Sequence, residues 1–206
     1  MEYIVLGYGK FGQLAVSRLV EAFPGARMAV VDVDPIRFHN PLPDGVIAFQ
    51  ADATEFLVRS TLFAPQALVL PMVPFHLAAS YLKASVPGCR EIPVPECLAT
   101  MVPNPFSLDS ANLGCSKADF LCPDCCSEGD LCTVTGLPRE PLYHSLEALE
   151  IQPFTVVVQR SSQILPGVGG YPMGELRALA GRMRPGLYLV ATSCKCHAIL
   201  TALDVT

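Results

Sequence analysis

Tryptophan is absent, and only 16% of the 206 residues carry charge against 51% that are hydrophobic. So thin a polar coat implies that much of the chain is buried, and the length suffices for one sizeable core. Long apolar runs are missing too. The stretch 67–73 is broken by Pro71 and falls short of the roughly 18 residues that span a bilayer, so no transmembrane helix is expected. The opening "MEYIVLGYGK" has an early acid and no basic segment or small-residue cleavage site, which points away from secretion and toward the cytoplasm. Basic stripes are also lacking. Net charge is −5, and residues 96–150 hold nine acidic side chains against two basic ones, a balance of −7 that leaves the remainder at +2. Without a basic face there is nothing to displace counterions from a phosphate backbone, which argues against nucleic acid; the acidic middle suits a protein partner instead. No G-x-S-x-G elbow, H-E-x-x-H pair or Walker lysine occurs, so hydrolase, zinc-protease and P-loop chemistries lack their residues.

What is present is an alternation of short apolar runs and amphipathic segments. Strands are expected at 3–6, 28–33, 46–49 and 67–70, with helices at 11–22, 54–62 (Thr54 as N-cap) and 76–85. From 86 to 153 the rhythm breaks among prolines and cysteines. It returns with a strand at 154–159, a helix at 174–184, a strand at 187–191 and a closing helix at 197–203. Continuous apolar strands alternating with helices predict an α/β fold, a doubly wound, mainly parallel sheet covered on both faces. The expected organisation is a nucleotide-binding half over 1–85, a proline- and cysteine-rich metal-binding insertion over 86–153, and a segment over 154–206 that completes the same sheet.

"GYGKFG" places Gly7, Gly9 and Gly12 in the G-x-G-x-x-G spacing, after a strand and at the start of a helix. Gly7 permits the tight turn, Gly9 lets the backbone approach a pyrophosphate, and Gly12 lets helix and strand pack closely. Tyr8, Lys10 and Phe11 complete the loop, whose helix N-terminus offers amides and partial positive charge to phosphates. Asp32, with Val33 beside it, ends the second strand where a carboxylate accepts hydrogen bonds from ribose hydroxyls. An acid there repels a 2′-phosphate, which favours NAD(H), or another adenine nucleotide, over NADP(H).

The segments "YIVLGYGKFGQLAVSRL", "VVDVDPIR" and "FQADATE" resemble, in order and spacing, the KTN-type (RCK-like) nucleotide-binding regulatory domains of potassium transport systems, over about residues 1–70. The resemblance implies that Gly7, Gly9 and Gly12 hold phosphates, that Asp32 holds the ribose, and that Asp52 and Ala53 lie near the adenine. It also implies edge-to-edge homodimers. Beyond Leu70, "LVLPMVPFHLAASYL" looks more like the fourth strand and helix of saccharopine and amino-acid dehydrogenases. That placement sets His76 where a nicotinamide would lie, as a candidate catalytic residue.

Nine cysteines in a reducing compartment read as metal-binding or redox-active rather than as disulfides. Cys115, Cys122, Cys125 and Cys132 are spaced C-x6-C-x2-C-x6-C, with Cys126 as an alternate. Cys194 and Cys196 return in "SCKCH" beside His197. Cys122 and Cys125 form a chelating turn. Four thiolates suit either tetrahedral zinc, which would clasp a segment lacking its own core, or a [4Fe–4S] cluster, which the cysteine density favours. Cys194 and Cys196, expected at a sheet edge, are alternates for metal ligation, and Cys194 and His197 are candidates for catalysis. Cys89 and Cys97 are expected to be small buried residues, and His39 and His144 to be loop residues. Two functions follow: an NAD(H)-binding, metal-containing redox protein, or a nucleotide-sensing module fastened by structural zinc.

Overall fold

The computed structural model describes all 206 residues as an α/β protein with two mixed sheets. In chain order the elements are β1 (Glu2–Leu6), α1 (Lys10–Ala22), β2 (Arg27–Asp32), β3 (Val46–Gln50), α2 (Ala53–Arg59), β4 (Leu68–Pro71), α3 (Leu77–Ser85), β5 (Cys89–Glu91), α4 (Leu98–Met101), β6 (Phe106–Ser107), β7 (Asn112–Ser116), α5 (Leu142–Glu147), β8 (Thr155–Arg160), β9 (Ser162–Leu165), β10 (Val168–Pro172), α6 (Met173–Arg182), β11 (Gly186–Ser193) and β12 (His197–Val205). No helix is long and apolar enough to cross a membrane.

The first sheet has the order β3-β2-β1-β4-β10-β9. Its first four strands are parallel, as the sequence predicts, while β10 and β9 add on antiparallel. Alternation along β1 builds two cores. Tyr3 and Val5 pack with Ala15, Val16 and Leu19 of α1 on one face, and Ile4 and Leu6 pack with Leu57, Leu77 and Leu176 of α2, α3 and α6 on the other. These leucines are essentially fully buried, and each contributes about 1.5–3 kcal/mol of hydrophobic stabilisation.

The expected single sheet is in fact two. The second, β6-β7-β12-β11-β8 with β5 on β12, is mostly antiparallel and takes strands from both 86–153 and 154–206. Hence 86–153 is only partly an irregular insertion, since β5, β6, β7 and α5 belong to this sheet and its packing. Similarly, only β9, β10 and α6 of the C-terminal segment return to the first sheet and its packing. Helix α3 lies between the sheets: Leu77 and Ala78 face the first core, whereas Leu82 joins Leu179, Val190 and Leu203 in a core shared with the second sheet. This explains why apolar residues cover more than one face of α3, leaving Lys83 and Ala84 on its exposed side.

The closing helix expected at 197–203 is the strand β12, paired with β7 and β11. It is central and covered on both faces, so its residues form a near-continuous apolar run whose period does not separate strand from helix. Cys194–Lys195–Cys196–His197 is consequently a hairpin turn, closed by the Cys194 amide donating to the His197 carbonyl at 3.0 Å. The "QRSSQILPGVGG" stretch that follows β8 is mostly the β9–β10 hairpin. His144 lies in α5 rather than in a loop.

Candidate functional site

The glycine loop takes the geometry its spacing demands. Gly7 has φ +93°, and a Cβ there would sit 2.5 Å from the Met72 carbonyl oxygen. A Cβ on Gly12 would be driven into the Gly7 carbonyl, so α1 packs directly on the loop. At Gly9 a Cβ would meet nothing within 4 Å, leaving the backbone open to an approaching group. Gly9 is also the N-cap of α1, without a side-chain cap and with no acid in the first turn. The helix thus keeps amides unpaired.

A cavity of about 460 Å³ opens beside this turn, lined by Gly7, Gly9, Asp32, Val33, Asp52 and Ala53 of the predicted site, with Arg37 and the 72–75 segment added. Asp32 Oδ2 accepts from the Tyr8 amide at 2.6 Å and Oδ1 from the Asp34 amide at 2.9 Å, which ties the end of β2 to the loop and leaves two lone-pair positions for hydroxyl donors. Asp52 proves to be the N-cap of α2, its Oδ1 accepting from the Thr54 and Glu55 amides at 2.9 and 3.0 Å, so the cap is not Thr54. Tyr8, Lys10, Phe11 and Gly12 do not line the cavity. Tyr8 stacks on Phe38 with ring centres 5.8 Å apart, and exposed Phe11 lies under the Lys10 ammonium.

His76 is not placed for catalysis. It is buried where α3 meets the second sheet, with Nδ1 2.7 Å from Thr201 Oγ1 and Nε2 2.8 Å from Thr192 Oγ1. Thr201 gives its own proton to Asn112 Oδ1, so Nδ1 must carry the imidazole proton and Nε2 must accept from Thr192. Burial pushes its pKa down to about 3.

The cysteines sort differently from their spacing. Cys115 is fully buried on β7 in the second sheet's core, where burial raises its thiol to about 11, so it is not a ligand candidate. Cys125 is exposed and faces Arg18 and Glu21 of α1, away from the other thiols. Cys97 is exposed and Cys89 half-buried, so neither is the fully buried residue expected. In contrast, Cys122, Cys126, Cys132 and Cys196 line one cavity of about 420 Å³ together with Arg139. The two cysteine groups therefore meet: Cys122 Sγ is 3.8 Å from His197 Nε2, whose Nδ1 is 3.7 Å from Cys194 Sγ. No three His, Cys, Asp or Glu side chains are gathered tightly enough to hold a single ion.

Local backbone geometry readies several of these sulfurs. The Thr135 hydroxyl, then the Thr135 and Val134 amides, hold Cys132 down to about 6, in the thiolate range at neutral pH. Burial works to raise Cys126, yet hydrogen bonds from Thr133, the Glu128 amide and Arg139 bring it below the ordinary thiol range. The Cys196 and His197 amides point at Cys194 Sγ at 3.5 and 3.3 Å, but burial pushes that thiol up to about 12. Arg139 donates to Cys126 Sγ at 3.7 Å while its Nε and Nη1 are buried without partners.

The cysteine loop is fastened to the first sheet's elements. Arg18 of α1 donates to the Asp124 carbonyl at 3.0 Å and to the Pro166 carbonyl at 2.5 Å, and Gln163 of β9 donates to the Cys126 carbonyl at 2.6 Å. The register Tyr171↔Val69 carries the β9–β10 turn past the carboxyl end of β4, the end at which Met72 reaches the glycine-loop cavity. Through Gln163 the cysteine loop thus reaches the β9–β10 end of the first sheet. Sequence reading missed Arg139 and Arg18, since an arginine's partners across the fold leave no local signal.

Residues 74–206, which include α3, the whole second sheet and all nine cysteines, match the model of a family described as "Uncharacterized protein, C-terminal domain". An "Uncharacterized protein" of Archaeoglobus fulgidus is 26% identical over 218 aligned residues, covering 97% of this chain and 98% of the relative. No solved structure gives a significant match. With its model spanning well over half of the sequence, the chain belongs to that C-terminal-domain family.

Proposed function

We propose that the protein binds NAD(H), or another adenine nucleotide, in the glycine-loop cavity and carries a thiolate-held metal centre, making it a redox protein. The four parallel strands β3-β2-β1-β4 with their glycine turn are Rossmann-like in this reading, and ligands of such sheets bind beyond the carboxyl ends of the strands. The observation that carries it is the cavity itself: open backbone at Gly9, an uncapped α1 N-terminus and the Asp32 carboxylate all border one space. Phosphates would take the amides and a ribose diol the remaining lone pairs of Asp32. When bound, a nicotinamide supplies hydride and a thiolate-ligated metal cluster supplies single electrons. The chain's own part is to orient the nucleotide and hold the thiolates. Iron–sulfur and zinc are the two candidates for the metal.

Titration calorimetry with NAD(H), NADP(H) and AMP tests the nucleotide site. The wild-type protein should prefer NAD(H) over NADP(H) by about tenfold or more, roughly 1.4 kcal/mol, and Asp32→Asn should narrow that gap while still accepting from the Tyr8 amide. Absence of binding by all three would remove the reading. Equal affinities for NAD(H) and NADP(H) in the wild type would remove only the role of Asp32.

A second reading, a nucleotide-sensing module of the KTN kind with structural zinc, is favoured by one observation. Every carboxylate lining the cavity already accepts backbone amides, Asp32 from Tyr8 and Asp34, Asp34 from Ile36, and Asp52 from Thr54 and Glu55. With His76 committed elsewhere, no free general base borders the nucleotide. Turnover of NADH with an artificial electron acceptor would favour the redox reading; binding without turnover would favour the sensor.

A further inference from the structure

We infer that Cys122, Cys126, Cys132 and Cys196 together hold a polynuclear iron–sulfur cluster in the cavity they line, with Arg139 as the cation against it. This deepens the metal-centre reading above and replaces the ligand set that chain spacing suggests. Three separate segments supply the thiols: the turn around Cys122 and Cys126, the Cys132 loop, and the β11–β12 hairpin at Cys196. Two bridges hold these segments in place. The Cys132 amide donates to the Leu137 carbonyl at 2.8 Å, and the Lys117 amide donates to the Cys196 carbonyl at 2.8 Å.

The donor arrangement decides between one ion and several. A single zinc requires its four sulfurs about 2.3 Å from one common point. Here no three ligand side chains gather around such a point, while four thiols border a space of about 420 Å³. A cluster keeps its thiolates apart by placing several irons and sulfides between them, so a ringed cavity fits it and a converged quartet does not.

Arg139 supplies the independent observation. It lines the same cavity, donates to Cys126 Sγ, and buries Nε and Nη1 without any acceptor from the protein. Buried donors on a charged group are costly to leave unpaired. Sulfide and thiolate sulfurs of an anionic cluster provide the missing acceptors, and hydrogen bonds to those sulfurs are among the terms that set a cluster's potential. The amides aimed at Cys132 serve the same end.

The test is iron, acid-labile sulfide and zinc content, with visible absorption, on protein purified without oxygen and reconstituted with ferrous iron and sulfide. Wild type should hold about four irons and four sulfides per chain. Cys122→Ser, Cys126→Ser, Cys132→Ser and Cys196→Ser should each cut iron to less than about a quarter of wild type, whereas Cys125→Ser and Cys194→Ser should keep it. Nucleotide titration and circular dichroism on each variant separate ligand loss from misfolding. X-ray absorption at the iron edge of the wild type reads sulfur ligation directly, whatever the variants do. One zinc without sulfide would overturn the cluster but not the nucleotide site. Full iron in Cys196→Ser, or iron loss in Cys125→Ser equal to that of the ring variants, would overturn the ligand set.

Discussion

Replacing His76 by glutamine isolates the energetic weight of the junction between the two sheets. In the folded protein the imidazole is neutral, donating from Nδ1 to Thr201 and accepting at Nε2 from Thr192, with a pKa pushed by burial from the ordinary 6.5 to about 3. Once unfolded, it regains the ordinary value. Between these two values the unfolded chain binds more protons, so stability falls as pH falls; above about pH 6.5 the contribution is fully present. Each unit of separation is worth about 1.4 kcal/mol, and the integral from pH 8 comes to about 2 kcal/mol lost by pH 5 and about 3 kcal/mol by pH 4. For a chain of this length 2 kcal/mol corresponds to a Tm shift of roughly 4–8 °C. Glutamine can still hydrogen-bond but does not titrate. Urea unfolding followed by circular dichroism at several pH values should show His76→Gln less stable than wild type near pH 8, by about 1–3 kcal/mol for an imperfect bridge, with the gap narrowing by about 2 kcal/mol near pH 5. Other titrating groups cancel in the difference. Parallel pH profiles for the two proteins would refute the argument that a buried neutral His76 joins α3 to the second sheet.

Two further substitutions test the glycine loop and the anchoring of the cysteine loop. Gly9→Ala adds a methyl to open space at a backbone angle that alanine accepts, φ −72°; Tm should not move while NAD(H) affinity falls about tenfold or more, roughly 1.4 kcal/mol. Gly12→Ala should instead lower stability by about 1–3 kcal/mol, because backbone at Gly7 cannot step aside, and equal Tm values for the two variants would contradict the loop geometry. Arg18→Ala removes the donors to the Asp124 and Pro166 carbonyls. Hydrogen exchange in 121–126 and 165–168 should then quicken by about tenfold, roughly 1.4 kcal/mol, with global stability little changed; unaltered exchange there would mean that the loop is held by other contacts.

The glycine loop was legible because its requirements are local. Gly7, Gly9, Gly12 and Asp32 act within one strand–turn–helix unit, and their spacing is dictated by that unit's geometry. Of the four parallel strands, β1, β2 and β4 were readable as short buried apolar runs closed by a turn or an acid, whereas β3 lies at the sheet's edge and is largely exposed. Reading failed where burial on both faces erases periodicity, as in β12, and where strands of one sheet are scattered along the chain. His76 looked like a nicotinamide neighbour because it follows β4; only the second sheet, folded from residues far downstream, supplies Thr192 and Thr201 to bury it.

The cysteines show the same limit at the scale of single residues. Counting along the chain pairs Cys122 with Cys125, since two residues between thiols make a chelating turn. The Cys126 amide instead donates to the Pro123 carbonyl at 3.0 Å, closing a turn that sends the adjacent residues 125 and 126 to different surroundings. Cys125 faces α1 and Cys126 faces the cavity. Cys115 falls on a strand whose pleat aims it into the core beside Leu142 and Leu189, while Cys196, some sixty residues beyond Cys132 in the sequence, is carried in by a hairpin. A ligand set drawn from three segments exists only after both sheets have formed. It follows that a metal held there would stabilise the assembled protein rather than a separately folding insertion, so metal loading should raise the midpoint for the whole chain, and a loading-independent midpoint would show that the thiols lie outside the cooperative fold.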